Sequence, residues 1–117
     1  MSTITPHEKP LRPTHNLRSA LEILSKKYTL DIINELLTSQ KRFTDIHNAI
    51  LEMSTRTLTQ RLEELERNNL IARHVFKEIP PRVEYSLNPN IRDDMRFLIA
   101  DMRRLGEKLR SLATPEK

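Results

Sequence analysis

The 117-residue sequence contains no cysteine. Disulfide bonds, thiolate-bound zinc, iron–sulfur clusters and thiol-based redox sensing are therefore excluded. The sequence also contains a single glycine, Gly106. Phosphate-binding loops of the GxGxxG and GxxxxGK types need more than one glycine, so nucleotide-dependent enzymes of those classes are excluded as well.

Long apolar runs are also absent. No stretch approaches the roughly 20 apolar residues that a transmembrane helix needs, and the first residues lack the apolar core of a signal peptide. We therefore expect no membrane partner and a cytoplasmic location. The four histidines are scattered without ligand spacing, so we expect no metal and no cofactor.

Catalytic patterns are not apparent either. Glu63, Glu64 and Glu66 lie too close together on one predicted helix to flank a substrate as an acid and a base. No serine or threonine occurs in a recognisable nucleophile motif. We therefore expect a protein that is not an enzyme.

Positive charge is in excess, with 20 Lys and Arg against 16 Asp and Glu and a formal net charge of +4. This balance is a modest indication of a polyanionic partner such as nucleic acid. Hydrophobic residues make up 37% and charged residues 31% of the chain, which is typical of one small helical domain.

Proline and apolar periodicity divide the N-terminal half. Residues 1–16 contain prolines and no periodic apolar pattern, which predicts a flexible arm. From Leu17 the apolar residues recur at intervals of three and four, which predicts a helix. Thr29, Thr44 and Ser54 are the predicted N-caps of three further helices.

The period changes after Asn68-Asn69, which are predicted to end the fourth helix. Residues 70–77 and 83–87 have the composition of two strands, and the prolines between them predict a stiff hairpin loop. Residues 39–42 are interpreted as a turn. The predicted fold class is mainly α with a small β-hairpin, a winged helix-turn-helix over residues 17–88.

The last predicted helix, residues 89–113, begins at Asn88-Pro89 and carries apolar residues at alternating intervals of four and three. This is the seam pattern of a coiled coil. Because a small domain cannot cover a seam of this length, we predict a homodimer formed by this helix with help from the first. The predicted interface residues are Leu17, Leu21, Leu98, Met102, Leu105, Leu109 and Leu112.

The third and fourth helices are separated only by Leu51-Glu52-Met53, which is the spacing of a helix-turn-helix. In that arrangement the second helix enters the major groove of DNA by its N-terminal residues. Arg56 could contact guanine and Gln60 adenine. The predicted DNA-binding residues are Ser54, Thr55, Arg56, Thr57, Gln60 and Arg61 in the fourth helix, Lys41 and Arg42 before the third, and Arg73, Lys77 and Arg82 in the wing.

Three segments carry a family resemblance: KRFTDI from Lys41, LTQRLEELE from Leu58 and IPPRVEYSL from Ile79. They resemble the HxlR-type family of winged helix-turn-helix transcriptional regulators, over about residues 21–112. The resemblance implies a dimer, a recognition helix at residues 54–68, a wing at residues 73–87 and an operator with two-fold symmetry.

The chain departs from the family pattern at three places. The cysteine that the family commonly carries before the first helix is absent, which removes thiol sensing. Ser25-Lys26-Lys27-Tyr28 stands where the family usually has glycine-glycine-lysine-tryptophan, and Asn68-Asn69 stands in place of Asp-Gly. Neither of these two changes opposes the fold.

The predicted function is that of a sequence-specific regulator that binds double-stranded DNA and is associated with the nucleoid. Two alternatives remain at this stage: a nonspecific, chromatin-like DNA-binding protein, and a winged helix that binds other proteins of the transcription machinery. The polar first turn of the fourth helix disfavours the second. A small-molecule effector is conceivable between the dimer helices and the winged domain, but no residue pattern indicates it.

Overall fold

The structure, a computed structural model, describes residues 13–113. Five helices and three short strands follow one another along the chain. In order they are α1 (Pro13–Leu24), α2 (Thr29–Thr38), β1 (Lys41–Arg42), α3 (Phe43–Ala49), α4 (Thr55–Arg67), β2 (Ile71–Phe76), β3 (Arg82–Leu87), a short 3-10 turn (Pro89–Ile91) and α5 (Arg92–Ala113). The mainly helical fold with a small antiparallel sheet confirms the predicted fold class.

Helix α1 begins four residues before the predicted start at Leu17, so residues 13–16 are helical rather than part of an arm. Proline is tolerated at Pro13 because the first helical position has no intrahelical partner for an amide N–H. The rest of the predicted arm, residues 1–12, lies outside the described residues.

Of the three predicted N-caps, one is confirmed and two are wrong. Ser54 caps α4, since its Oγ accepts a hydrogen bond from the Thr57 amide at 3.1 Å. Thr29 is not a cap: it is the buried first residue of α2, preceded by Tyr28 in a left-handed conformation with φ 74°. Thr44 is not a cap either, because α3 begins at Phe43.

The sheet contains a strand that the sequence analysis interpreted as a turn. Strand order is β1-β3-β2, and both pairings are antiparallel. In β1, Lys41 lies opposite Tyr85 and Arg42 opposite Glu84. Two residues are too few to show a strand period, so this strand depends on its pairing with β3.

The core lies between α2, α3, α4 and the base of the sheet, with α5 packed across α2. Leu58, Leu62 and Leu65 of α4 are at most 2% exposed, which confirms that they share the inner face. From α5, Met95 and Ile99 reach the core. The other large buried side chains include Ile32, Ile33, Leu36, Ile46, Met53 and Leu87.

Helix α1 and the second half of α5 extend away from this core. The radius of gyration is 17.7 Å, compared with about 13 Å for a compact chain of about 100 residues. Residues 15–22 and 100–113 are exposed throughout. Among the helices of residues 13–113, none is long and apolar enough to cross a bilayer.

Asn69 ends α4 in a left-handed conformation with φ 63°, as predicted for the asparagine pair. A residue with a Cβ and no compensating polar group is strained there, whereas glycine is not. We expect Asn69→Ala to lower the free energy of unfolding by about 1 kcal/mol and Asn69→Gly to leave it equal or higher. Urea denaturation of the unsubstituted protein and the two variants, all at the same protein concentration, measures these differences in stability. Equal stability of the two variants would contradict it.

Candidate nucleic-acid interface

The N-terminal half of α4 presents its polar side chains on the surface. With Leu58, Leu62 and Leu65 buried, the opposite face of the helix exposes Thr55, Arg56 and Gln60. Arg56 forms no ion pair with any acidic residue of the described range 13–113. Arg56 and Gln60 are one helical turn apart, so both side chains can contact the same strip of a partner molecule's surface.

Two hydroxyls of the same region hold the start of the helix. Ser54 Oγ accepts from the Thr57 amide and also donates to Thr57 Oγ1 at 3.0 Å. Of the predicted contacts, Ser54 therefore caps α4 in the free protein with Thr57 as its partner, and this satisfies one of the amide donors that a helix N-terminus otherwise leaves unpaired.

The turn between α3 and α4 is fixed by a histidine. The Nε2 atom of His47 lies 2.8 Å from the carbonyl oxygen of Met53, to which its N–H donates. Met53 itself is 1% exposed, and its amide donates to Ile50 O at 3.2 Å. His47 thus positions α4 relative to α3, a role that the sequence analysis missed because the bond bridges six residues across a turn.

Arg61 points back into the protein. Its Nε donates to the carbonyl oxygen of Lys27 at 2.9 Å, and its Nη1 lies 3.4 Å from Glu64 Oε1. Only 18% of the Arg61 side chain is exposed. Arg61 was predicted to bind DNA, but its guanidinium is occupied by groups on the inner side of α4.

Arg82 in the wing is also engaged by neighbours. Its guanidinium lies 3.2 Å from Glu78 Oε1 and 2.9 Å from Glu84 Oε2, and it stacks over the Phe76 ring at 4.2 Å from the centroid. Two carboxylates neutralise its charge, so Arg82 stabilises the hairpin rather than offering a free cation.

The remaining predicted basic residues stay accessible. Arg73 and Lys77 are exposed on β2 and just after it. Arg73 also lines a cleft of about 460 Å³ between α4 and the sheet. Arg42 is exposed at the start of α3, while Lys41 Nζ donates to Thr38 Oγ1 at 2.9 Å and Ser39 Oγ at 3.0 Å. The candidate interface therefore centres on the start of α4 and the outer part of the wing.

A second surface is apolar. All seven residues predicted for a dimer interface are exposed, from 37% at Leu98 to 79% at Leu112. We refer to them as the apolar stripe: Leu17, Leu21, Leu98, Met102, Leu105, Leu109 and Leu112. Leu17 and Leu21 of α1 and Leu98 and Met102 of α5 line one cleft of about 210 Å³.

Comparison with known proteins agrees with this geometry. The family described as HxlR-like helix-turn-helix matches residues 23–113. An uncharacterised HTH-type transcriptional regulator of Synechocystis is 40% identical over 90 residues, which are 77% of this chain and 66% of that protein. The HTH-type regulator YvaP of Bacillus subtilis is 43% identical over 68 residues, 58% of this chain and 63% of its own length. The chain thus spans about two thirds of these relatives.

Solved structures show the same fold. A protein of Enterococcus faecalis V583 assigned to the MarR family of transcriptional regulators superposes with a TM-score of 0.76 at 28% identity, covering 92% of this chain and 96% of that one. The reduced form of the transcriptional regulator YodB from B. subtilis superposes with a TM-score of 0.68 at 29% identity, covering 92% of this chain and all of YodB.

The contrasting surroundings of two arginines on α4 lead to a test. We expect Arg61→Ala to lower the free energy of unfolding by about 1–3 kcal/mol, because it removes a charged hydrogen-bond donor and leaves the Lys27 carbonyl without it. Arg56→Ala, the matched control on the same helix, should change stability by less than about 0.5 kcal/mol. Urea denaturation distinguishes them, and an unchanged stability of Arg61→Ala would show that its internal contacts contribute little.

Proposed function

The chain belongs to the HxlR-like helix-turn-helix family, and from this premise we propose that it is a homodimeric transcriptional regulator that binds specific sequences in double-stranded DNA. The observation that carries the proposal is the exposed first half of α4, where Arg56 and Gln60 face outward one turn apart and Arg56 has no acidic partner within residues 13–113. The relatives bear the names of transcriptional regulators rather than enzymes. A regulatory function without catalysis, exercised in the cytoplasm at the nucleoid, is accordingly part of the proposal.

In the proposed complex, the first half of α4 enters the major groove. Arg56 can donate two hydrogen bonds to guanine O6 and N7, and Gln60 can pair with adenine N6 and N7. Glu63 and Glu66, both exposed, lie in the second half of the helix. The acidic residues of α4 are therefore kept away from the end that would approach the phosphates.

The wing supplies the second contact. Arg73, Lys77 and Arg42 are exposed on the sheet and beside it, and we assign them to phosphates of the flanking backbone or minor groove. Because Arg82 is neutralised by Glu78 and Glu84, we do not assign it to DNA. The wing is therefore proposed to add affinity for DNA through phosphate contacts that do not depend on the base sequence.

The apolar stripe is proposed to join two copies. Isolated exposed leucines are ordinary, but an apolar band that continues over α1 and the length of α5 marks an interaction surface. A second copy provides the same band, so the two surfaces are self-complementary about a two-fold axis. Such a dimer would read two half-sites about one helical turn apart.

The proposal is tested by selecting bound sequences from a random duplex library at physiological salt. An enriched palindromic motif is the expected result. Binding without enrichment would replace the proposal with a nonspecific, chromatin-like role, and the absence of binding would favour a protein-interaction module.

Arg56→Ala is expected to weaken binding to the selected operator by about 1–3 kcal/mol for each half-site, and to relax the preference at one base position in each half-site. The reason is the loss of a bidentate contact to a base edge. Titration against operators substituted one position at a time measures both effects.

Lys77→Ala serves as the comparison, because a phosphate contact has a different signature. Because the dimer carries two copies of Lys77, their loss should lower affinity equally on all sequences and reduce the slope of log affinity against log salt by about 2. If Arg56→Ala also weakened all sequences equally, Arg56 would not read a base.

Leu109→Glu is expected to convert the dimer into a monomer at micromolar concentration, because it places an unpaired charge within the proposed helix interface. Light scattering measures the mass. Lys108→Glu, which adds the same carboxylate at the neighbouring position off the stripe, is the control and should remain a dimer. A monomeric unsubstituted protein would refute the interface.

A further inference from the structure

Two polar contacts join the middle of α4 to the connection between α1 and α2, and a third links the two α4 residues that make them. Arg61 Nε donates to Lys27 O at 2.9 Å, Lys26 Nζ lies 3.0 Å from Glu64 Oε2, and Arg61 Nη1 lies 3.4 Å from Glu64 Oε1. We refer to this set, formed by Lys26, Lys27, Arg61 and Glu64, as the strut.

The two α4 residues of the strut are partly sheltered from solvent, whereas the Lys26 side chain is 45% exposed. The side chains of Arg61 and Glu64 are 18% and 23% exposed, so their interaction is screened less than that of a fully solvated pair. The bond to Lys27 O has a charged donor, and such bonds are stronger than those between neutral groups. It also satisfies a main-chain carbonyl in a connection that is not helical.

Apolar packing does little to fix the direction of α1. Its residues 15–22 are exposed, and only Ile23 and Leu24, at its end, are packed against the core. A cleft of about 260 Å³ separates the end of α1 from the second half of α4, and Glu22, Lys26, Glu64 and Arg67 are among its lining residues. The strut bridges the two sides of this cleft.

The connection between α1 and α2 is ordered, so that fixing the position of Lys27 also fixes the end of α1. Tyr28 has φ 74°, and the Thr29 amide donates to Lys26 O at 3.1 Å. On the other side, the Ser25 amide donates to Leu21 O at 2.9 Å. Residues 25–28 therefore form an ordered turn, and holding Lys27 in place holds the end of α1.

The direction of α1 contributes to where a second copy would sit, because α1 supplies two of the seven residues of the apolar stripe, Leu17 and Leu21. Helix α1 has 12 residues and is therefore about 18 Å long. A tilt of about 10° about its end at Leu24 would move Leu17, which lies about 10 Å away along the helix, by about 2 Å. Because the same tilt occurs in both copies, the change across the two-fold axis is about 4 Å, close to the 3.4 Å rise of one base pair. A small change of this angle is thus enough to change which operator the two recognition helices span.

We propose that Arg61 and Glu64 are positioning residues: through the strut they set the angle between α1 and α4, and hence the half-site spacing that the dimer accepts. This inference rests on the proposed function. It assigns to Arg61 a role in specificity without contact to DNA.

The first test measures spacing. Operators with identical half-sites and a spacer changed by one base pair at a time are titrated with the unsubstituted protein, Arg61→Lys and Glu64→Gln. Arg61→Lys keeps the positive charge, and a lysine would still reach a phosphate, but it lacks the Nε donor. We expect both variants to select the same half-site sequence as the unsubstituted protein. The ratio of affinities between the best spacing and its neighbours should fall about five- to tenfold.

Glu63→Gln is the matched control for Glu64→Gln. It makes the same change of charge one position away, at an exposed residue of the same helix that forms no ion pair within residues 13–113. It should keep the spacing preference of the unsubstituted protein. Unchanged spacing discrimination in both strut variants would overturn the proposal, as would an equal loss in Glu63→Gln.

A second test needs no DNA. The chain has no cysteine, so Ser19→Cys on α1 and Glu66→Cys on α4 provide the only two sites for spin labels. Labelled protein is mixed with an excess of unlabelled protein so that distances within one protomer dominate. Ser19 lies about 8 Å along α1 from its end at Leu24, so a tilt of about 10° moves it by about 1 Å. Pulsed electron paramagnetic resonance should therefore show a distance distribution that broadens, or shifts by about 1 Å, when Arg61→Lys is added.

The two tests separate the two proposals. If the unsubstituted protein enriches no motif, the proposed function fails, and an unchanged distance distribution would then refute the strut independently. If the distribution changes but spacing discrimination does not, the strut is only a stabilising contact and its role in specificity is refuted.

Discussion

Burial of the leucine face of α4 is the constraint on which the rest of the structure depends. Leu58, Leu62 and Leu65 are almost completely removed from solvent, and each fully buried leucine contributes about 1.5–3 kcal/mol. Because that face is buried, the rotation of α4 about its own axis is fixed. Arg56 and Gln60 must face outward, while Arg61, next to Leu62 at the edge of the buried face, is drawn toward the Lys27 carbonyl. Burial of this one apolar face therefore decides which side chains of α4 are available to bind a ligand and which form contacts inside the protein.

Much of this could be predicted from the sequence, because the signals are local. Intervals of three and four mark the helices, Ser54 marks the start of α4, and Asn69 marks its end through a conformation that asparagine tolerates. The exposed apolar stripe was also predicted, since the seam of α5 is longer than a small core can cover. These features depend on residues within a few positions of one another.

The interpretation of residues 39–42 as a turn was wrong, and the internal contacts of Arg61 and Arg82 were not foreseen, because all of these features depend on residues far apart in the chain. Strand β1 exists because Lys41 and Arg42 pair with residues more than 40 positions away. The contacts of Arg61 with Lys27 cross 34 positions, and the contacts of Arg82 depend on how the hairpin folds around Phe76. The sequence does not show whether an arginine forms ion pairs inside the folded protein. The candidate site could therefore be outlined from the sequence, but its accessible basic residues could not be distinguished from those paired internally.

The position of β2 has a consequence for the protein when no DNA is near. In the strand order β1-β3-β2, β2 is an edge, and within residues 13–113 no other strand pairs with its outer side. Open edges of this kind can recruit strands from other molecules and start aggregation, and charged side chains oppose this. Arg73 lies within this edge strand and Lys77 directly after it. Arg73 and Lys77, which we propose to contact the DNA backbone, therefore also oppose sheet growth between molecules of the unbound protein.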